Sequence, residues 1–221
     1  MLSDGGVNTS TGMNIFVVHE DPYLAACALP DKLVVKMPVE TAQMLAVIYS
    51  PHMHDIGPLF KADGTPYNTK KGAWKNHPCT QWAAKNRHNI NWLLQHGIGL
   101  CDEFRYRYGK DHGSEPAIRL AGMMWSGTCW EKHSPFVRCM PDEFKNDTSI
   151  STVEAYRRYL LSKPWVKDNY HRTDRKPSFI THEPDEFDYT IDIFKQDSNA
   201  ISTSTSDDRS DIGLLDGILR N

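Results

Sequence analysis

The sequence has few cysteines, only five among 221 residues, and none of them forms a CxxC pair. This odd set predicts free thiols, mostly buried, and disfavours a structural zinc site. Long apolar runs are also missing, since none approaches the ~18 residues of a membrane-spanning helix. Residues 1–12 lack the basic start and the apolar stretch of a signal peptide. These absences predict a cytoplasmic protein without a membrane partner.

Several common catalytic and cofactor motifs are absent as well. The sequence contains no GxGxxG or Walker loop to cradle phosphates, no GxSxG nucleophile motif and no internal repeat. These absences argue against dinucleotide-binding proteins, P-loop proteins and serine hydrolases. We expect no cofactor.

The charge is unevenly distributed along the chain. The formal net charge is only −3, but residues 183–221 carry ten acidic residues against three basic ones, and residues 13–182 carry 22 basic against 17 acidic. This partition indicates a basic body that can meet a polyanion, followed by an acidic tail. Such a tail either solvates the protein or mimics nucleic acid and covers a basic groove.

The overall pattern predicts a mainly α protein. We expect a disordered extension over residues 1–12, a single compact helical domain with long irregular loops over 13–182, and an acidic, largely disordered tail over 183–221. Within that tail, Ile212–Leu219 is a short apolar exception.

The positions of helix caps, prolines and apolar residues predict the separate elements. Met13–Val18 reads as a buried strand or extended piece, and Pro38 should kink or restart the second helix. Residues 50–76 and 109–150 read as loops, with a helical turn at Leu120–Trp125. The expected helices are Pro22–Leu29, Asp31 to about Tyr49, Pro78–Tyr108 with a bend near Gly97 and Gly99, and Ser151–Ser162, which opens with the capping-box pair Ser151 and Glu154.

Two basic stretches contain interspersed aromatic residues. Phosphates attract Lys and Arg, and exposed bases stack on aromatic rings, so such mixtures are typical of a nucleic-acid groove. The alternative is a solvated helix face whose aromatic residues belong to the core. The candidate nucleic-acid-binding residues are Lys70, Lys71, Trp74, Lys75 and Asn76 in the first stretch, and Arg157, Arg158, Lys163, Trp165 and Arg172 in the second.

A polar stripe follows one face of the helix that begins at Asp31. Lys32, Lys36 and Glu40 are spaced four residues apart and therefore share that face. A lysine beside another lysine can act as an amine nucleophile, with Glu40 as its acid or base. An ordinary surface Lys–Glu pair is the alternative.

Histidines suggest two further possibilities. His52 and His54 form an HxH pair, and His77-Pro-Cys79 adds two more ligand types, but these spacings are a weak metal signal. We expect no metal. His77 lies at a helix entry beside Asn76, where it can hold a phosphate, donate to a substrate or cap the helix.

Three blocks of the sequence follow the pattern of a known family. The first runs from Met13 to Leu45 and the third from Tyr156 to Tyr170; between them Asn76-His-Pro is followed by Trp82 and Cys101-Asp-Glu. These blocks resemble the pyrimidine-dimer DNA glycosylase family, which includes the phage endonuclease V type enzyme. The blocks DKxVxKM, NHPC and RYGK are also similar to an uncharacterised group of phage proteins, which implies a host cytoplasm for a chain of phage origin.

The resemblance implies a mainly helical domain that binds duplex DNA and cuts the glycosidic bond of a damaged pyrimidine. Family chemistry uses the free N-terminal amine and a glutamate on the first long helix. Here twelve residues precede Met13, so that amine is present near the site only if translation starts at Met13 or processing occurs. Lys32 stands at the position matching the glutamate, and Glu40 is the nearest carboxylate on that helix.

Three hypotheses follow. The first is a DNA glycosylase and AP lyase in which Glu40 is the acid, base or sugar-stabilising carboxylate, Lys32 or Lys36 is the amine, and His77 helps to hold phosphate. The second is a non-catalytic nucleic-acid-binding module on the same scaffold. The third is a metal-dependent enzyme that uses His52, His54 and His77. The oligomeric state does not follow from the sequence.

Overall fold

The computed structural model describes residues 13–125 and 132–181, and the described residues form helices and loops without any strand. The prediction of a compact, mainly α protein is confirmed. The predicted N-terminal extension and acidic tail lie outside the described residues. The helices are α1 (Pro22–Cys27), α2 (Asp31–Tyr49), α3 (Pro78–Ala84), α4 (Arg87–Tyr108), α5 (Glu115–Met124), α6 (Asp142–Lys145), α7 (Thr152–Leu161) and α8 (Ser178–Thr181).

The chain enters the core as an extended segment, residues 13–18, which is buried but pairs with no strand. Of the two predicted alternatives, the extended piece is therefore correct. The Asn14 side chain takes the place of a strand partner, because its Oδ1 accepts hydrogen bonds from the amides of Ile15 at 2.7 Å and Phe16 at 3.0 Å. Side-chain acceptors thus satisfy buried amides that a sheet would otherwise pair.

Helix α2 continues through Pro38, so the predicted restart at that residue is wrong. Proline removes one helical hydrogen bond, at a cost of about 3 kcal/mol in a helix interior. Pro38 is itself buried, as are Leu33, Val34 and Met37 in the preceding turn. The burial of Pro38 and of the apolar turn before it therefore offsets the missing hydrogen bond.

The single helix predicted from Pro78 to Tyr108 is also wrong. The chain breaks between α3 and α4 because Asn86 adopts an extended conformation and its side chain accepts from the amides of His88 at 3.0 Å and Asn89 at 2.9 Å. Asparagine is a strong N-cap, and here it starts a new helix in the middle of a helical pattern.

Gly97 and Gly99, near which the sequence predicts a bend, both lie inside α4, and the helix continues past them. Both glycines allow close helix approach: a Cβ at Gly97 would lie 2.7 Å from Cγ2 of Thr41, and one at Gly99 would lie 3.2 Å from Cβ of Ala26. These small residues let α4 pack tightly against α2 and α1.

The structure contains more helix after residue 109 than the sequence predicted. Residues 109–150 include α5 and α6, and the expected turn at Leu120–Trp125 is the end of α5. The N-cap of α7 is confirmed, because Ser151 Oγ accepts from the amide of Glu154 at 3.1 Å.

A buried charge network joins α1, α2, α4 and the segment after α7. The fully buried guanidinium of Arg107 donates to Glu103 at 2.7 Å, to Asp31 at 2.9 Å and to the carbonyl of Cys27 at 3.0 Å. Asp31 also accepts from the amides of His171 at 2.8 Å and Arg172 at 3.2 Å. These charges are stable in the core only while every partner is present.

Removing Arg107 should therefore destabilise the protein strongly. We expect Arg107→Met to lower the free energy of unfolding by about 3–5 kcal/mol, because two carboxylates lose their buried partner. The exposed Arg158–Glu154 pair, 2.8 Å apart, is the control, and Arg158→Ala should cost under about 1 kcal/mol. Urea unfolding measures both; equal losses would contradict this reading of the network.

His96 makes folding stability depend on pH. It is fully buried, stacks on Trp92 at 4.9 Å, and finds no hydrogen-bond partner for either ring nitrogen within the described part of the chain. Burial lowers its pKa from 6.5 to about 3. The unfolded chain therefore takes up this proton first as the pH falls, and stability is lost between pH 6.5 and pH 3.

We expect the His96 contribution to lower the free energy of unfolding by about 2 kcal/mol when the pH falls from 7 to 5. Denaturant titrations of wild type and His96→Leu at both pH values measure the effect. The other histidines are common to both proteins, so only the difference between the two pH dependences counts. Identical pH dependences would contradict the assignment to His96.

Candidate active site and nucleic-acid interface

Glu40 is the centre of the candidate active site. Its side chain is only 10% exposed, and each carboxylate oxygen has a nitrogen partner. Lys36 Nζ lies 2.8 Å from Oε1, one turn earlier on α2, and the backbone amide of Asn14 donates to Oε2 at 3.1 Å. The carboxylate therefore joins α2 to the extended segment.

The side chain of Asn14 fixes the direction of its own backbone amide. Its Nδ2 donates to the carbonyl of Cys139 at 2.7 Å, while its Oδ1 accepts from the next two amides. Lys36, by contrast, is 46% exposed on its side chain. The site thus combines a rigid donor with an amine that a ligand can reach, and an amine beside a carboxylate is the arrangement required for nucleophilic attack with proton transfer.

The structure separates Lys32 from this pair. Lys32 lies eight residues before Glu40, about 12 Å along the helix axis. Its Nζ lies 5.0 Å from the ring centroid of Trp165 instead. Of the two predicted amines, only Lys36 contacts Glu40.

His77 caps α3. Its Nδ1 accepts from the amide of Cys79 at 3.2 Å, and its ring contacts Trp74 edge-on at 5.9 Å between centroids. Partial burial lowers the pKa of His77, which favours the neutral imidazole that this acceptor role requires.

Two thiols lie next to this cap. The Sγ atoms of Cys79 and Cys139 are 3.0 Å apart, and one ligand atom each from His77, Cys79 and Cys139 lies within 4.8 Å of the others. One imidazole and two thiols fit the chemistry of zinc, with a fourth position left open. Sequence reasoning missed Cys139 because sixty residues separate it from Cys79; His77-Pro-Cys79 was the only signal.

The other predicted metal ligands lie elsewhere. His52 Nε2 is 3.2 Å from the carbonyl of Lys70, and His54 Nε2 is 2.8 Å from the carbonyl of Ala84. Neither belongs to the group of potential ligands found among the described residues. The structure therefore does not bring His52, His54 and His77 together as one metal site.

An open cleft of about 800 Å³ adjoins the start of α3. The first basic stretch contributes to its lining. So do Pro78, which precedes Cys79, and Val137, which lies two residues before Cys139. Its lining includes His52, Lys75, Asn76, Gln81, Trp82 and Lys85.

The first basic stretch forms an exposed loop beside this cleft. Lys70, Lys71 and Asn76 are exposed, Lys75 is half-buried, and the Trp74 ring is 46% exposed. Gly72 makes the turn between the lysines and Trp74 with a φ of +57°, and a Cβ there would lie 3.1 Å from Cγ of His52. The loop therefore holds an exposed tryptophan and several cations in one region.

The second basic stretch divides into buried and exposed residues. Arg157 is buried, donates to the carbonyl of Val18 at 2.8 Å and lies over the ring of Phe179. Its role is in the core. The exposed or half-buried members each lie against another side chain: Arg158 on Glu154 at 2.8 Å, Lys163 over Tyr159 at 4.1 Å, Trp165 under Lys32 at 5.0 Å and Arg172 over Tyr108 at 4.8 Å.

Two further cations extend this surface. Arg175 lies over Tyr106, 4.0 Å from the ring centroid, and Lys176 over Tyr170 at 5.8 Å. Both belong to the second basic stretch of the sequence, in which basic residues alternate with aromatic residues. Cations held on rings are pre-oriented and remain able to meet phosphate.

None of the helices in the described ranges is long and apolar enough to cross a membrane.

A model of the family described as pyrimidine dimer DNA glycosylase matches residues 13–115. The match includes Asn14, Lys36, Glu40 and the first basic stretch, and it ends before the second. No curated protein and no solved structure matches the chain.

Proposed function

We propose that this protein is a DNA N-glycosylase with AP lyase activity on duplex DNA that contains a damaged or modified base. The match of the pyrimidine dimer DNA glycosylase model over residues 13–115 supports DNA as the substrate. One observation carries the proposal: a nearly buried carboxylate, Glu40, holds the amine of Lys36 at 2.8 Å.

Lys36 is the nucleophile in this proposal. When DNA covers the site, the loss of water disfavours both charged groups, so a proton passes from Nζ to Glu40 and leaves a neutral amine. Nζ then attacks C1′ of the sugar, and the glycosidic bond breaks as the damaged base departs. The C1′–N bond becomes an iminium ion, and the sugar ring opens.

Glu40 then acts a second time. Glu40 first gives its proton to the departing base. The resulting carboxylate then removes a proton from C2′, and the 3′ phosphate leaves by β-elimination. Borohydride reduces the iminium ion before this step and leaves a stable covalent bond between protein and DNA.

Trapping of variants tests the proposal. With duplex DNA that carries either an abasic site or a pyrimidine dimer, we expect wild type to form a borohydride-dependent adduct. Lys36→Arg keeps the positive charge and loses the nucleophile, and Glu40→Gln keeps the shape and loses the base. Each should reduce adduct formation by about 100-fold or more.

Lys32→Arg provides the matched comparison, because it is the same substitution on the same helix but away from Glu40. It should trap DNA at close to the wild-type level. No adduct with wild type, or equal losses in Lys32→Arg and Lys36→Arg, would contradict the assignment.

The nitrogen of Asn14 offers a second route to the same chemistry. It lies 3.1 Å from Glu40, on the opposite oxygen from Lys36. The family chemistry uses an N-terminal amine, and a chain processed between Met13 and Asn14 would present its α-amine at this point. A chain that starts at Asn14 and traps DNA despite Lys36→Arg would assign the reaction to this amine.

The exposed cations form the proposed DNA surface together with Trp74 and Trp165. We expect Lys163→Ala and Arg172→Ala each to weaken duplex binding and to reduce the slope of log affinity against log salt by about 1, because each removes one phosphate contact. Fluorescence anisotropy between low and moderate salt measures this. An unchanged salt slope in both variants would place phosphate contacts elsewhere.

A non-catalytic DNA-binding module remains the second candidate. The observation that favours it is that the Asn14 nitrogen beside Glu40 is a backbone amide, which donates to Oε2 at 3.1 Å and is not a nucleophile. This candidate predicts salt-sensitive binding that survives both Glu40→Gln and Lys36→Arg, without any trapped adduct.

A further inference from the structure

Two thiols beside the candidate active site lie close enough to react with each other. Cys79 is fully buried at the start of α3, and Cys139 is half-buried in the segment before α6. Their Sγ atoms are 3.0 Å apart, with the Cys79 thiol donating to Cys139. Bonded disulfide sulfurs are about 2.0 Å apart, so a shift of about 1 Å joins them.

We propose that Cys79 and Cys139 are an oxidative modification site, in which a hydroperoxide converts the two thiols into a reversible disulfide. The inference rests on the juxtaposition of the two side chains and holds whether or not the protein cleaves DNA.

The surroundings of the two sulfurs give them different roles. Cys79 is fully buried, whereas Cys139 is only half-buried and is the more accessible of the two. The oxidant therefore reaches the Cys139 sulfur first, and Cys79 is the resolving thiol.

The reaction balances in two steps. The Cys139 thiolate attacks one oxygen of hydrogen peroxide, an S–O bond forms, the O–O bond breaks, and hydroxide leaves and takes up a proton as water. Cys79 then gives up its proton and attacks the Cys139 sulfur; the S–S bond forms, the S–O bond breaks, and a second water leaves. The two thiols lose two electrons, and the peroxide gains them.

The remaining described thiols are poor competitors. Burial raises the pKa of Cys27 and of Cys101 to about 12, so the reactive thiolate is scarce at both positions near neutral pH.

The disulfide would fix the segment around Cys139, whose carbonyl binds the Asn14 side chain. The carbonyl of Cys139 accepts from the Asn14 side chain at 2.7 Å, and the Cys139 amide donates to the hydroxyl of Tyr156 at 3.1 Å. A bond to Cys79 ties this segment to α3 and closes a long loop. Such closure restricts the unfolded chain, so oxidation should raise the Tm by about 5 °C or more.

Mass spectrometry of the full chain treated with hydrogen peroxide tests the proposal. We expect a loss of about 2 Da, the mass of the two hydrogens removed. Free thiols should fall from five to three, and a non-reducing digest should contain a Cys79–Cys139 peptide. Dithiothreitol should reverse all of these changes.

Three variants sharpen the test. Cys139→Ser should remove the change in mass, and Cys79→Ser should stop Cys139 at a sulfenic acid that dimedone traps. Cys101→Ser, a buried thiol of the same kind, should still form the disulfide. If a variant at the pair fails to fold, the wild-type peptide map alone still decides the question.

Two results would overturn the proposal. One is oxygen added to Cys139, or a disulfide to another cysteine, without a Cys79–Cys139 peptide. The other is one equivalent of zinc in the purified protein that protects both thiols and is lost in His77→Asn, which keeps an N-cap side chain but removes the imidazole. That second result would assign the group to a metal site instead. Under the disulfide proposal, His77→Asn forms the crosslink as wild type does.

Discussion

The burial of the Glu40 carboxylate is the constraint on which the candidate site depends. A buried carboxylate needs donors, and a buried extended segment without a neighbouring strand needs acceptors. The amide of Asn14 donates to one carboxylate oxygen of Glu40 at 3.1 Å. The partly exposed Lys36 amine pairs with the other oxygen at 2.8 Å. One residue on α2 therefore fixes the entry of the chain into the core and also orients the Lys36 amine.

The rest of the fold holds α2 in the position that this arrangement requires. Arg107 ties the first residue of α2 to α1 and α4, and Gly97 lets α4 approach Thr41, the residue next to Glu40. From the other side, Asn14 is fastened to the carbonyl of Cys139, and Cys139 lies against Cys79 at the start of α3. Elements far apart in sequence thus meet around one carboxylate, and the basic loop before α3 borders the adjoining cleft.

Local signals in the sequence predicted much of the fold. Caps and apolar spacing were enough for the mainly α class, for α1 and α2, and for the start of α7 at Ser151. They failed at Asn86, where an N-cap interrupts an otherwise helical pattern, and they did not reveal the close approach of Gly97 to Thr41. The cap at Asn86 is a local contact, whereas the approach at Gly97 is a contact between α4 and α2, which a single sequence does not contain.

The candidate site was predictable only within one helix. The spacing of Lys36 and Glu40 puts them on one face, and that pair is present; the same spacing included Lys32, which turns instead to Trp165. The Asn14 amide and Cys139 reach the site through tertiary contacts, which the spacing of residues along a helix does not predict. Arg157 was read as a phosphate contact from the charge around it, but its position on the inner face of α7 buries it against Val18 and Phe179.

The central claim is that the nitrogen beside Glu40 is the one that reacts with DNA. The most direct measurement is fragment mass spectrometry of the borohydride-reduced adduct between the full chain and an abasic duplex, which locates the modified nitrogen. The account predicts the sugar remnant on Nζ of Lys36. An adduct on a lysine of the exposed loop, such as Lys71 or Lys75, would contradict it.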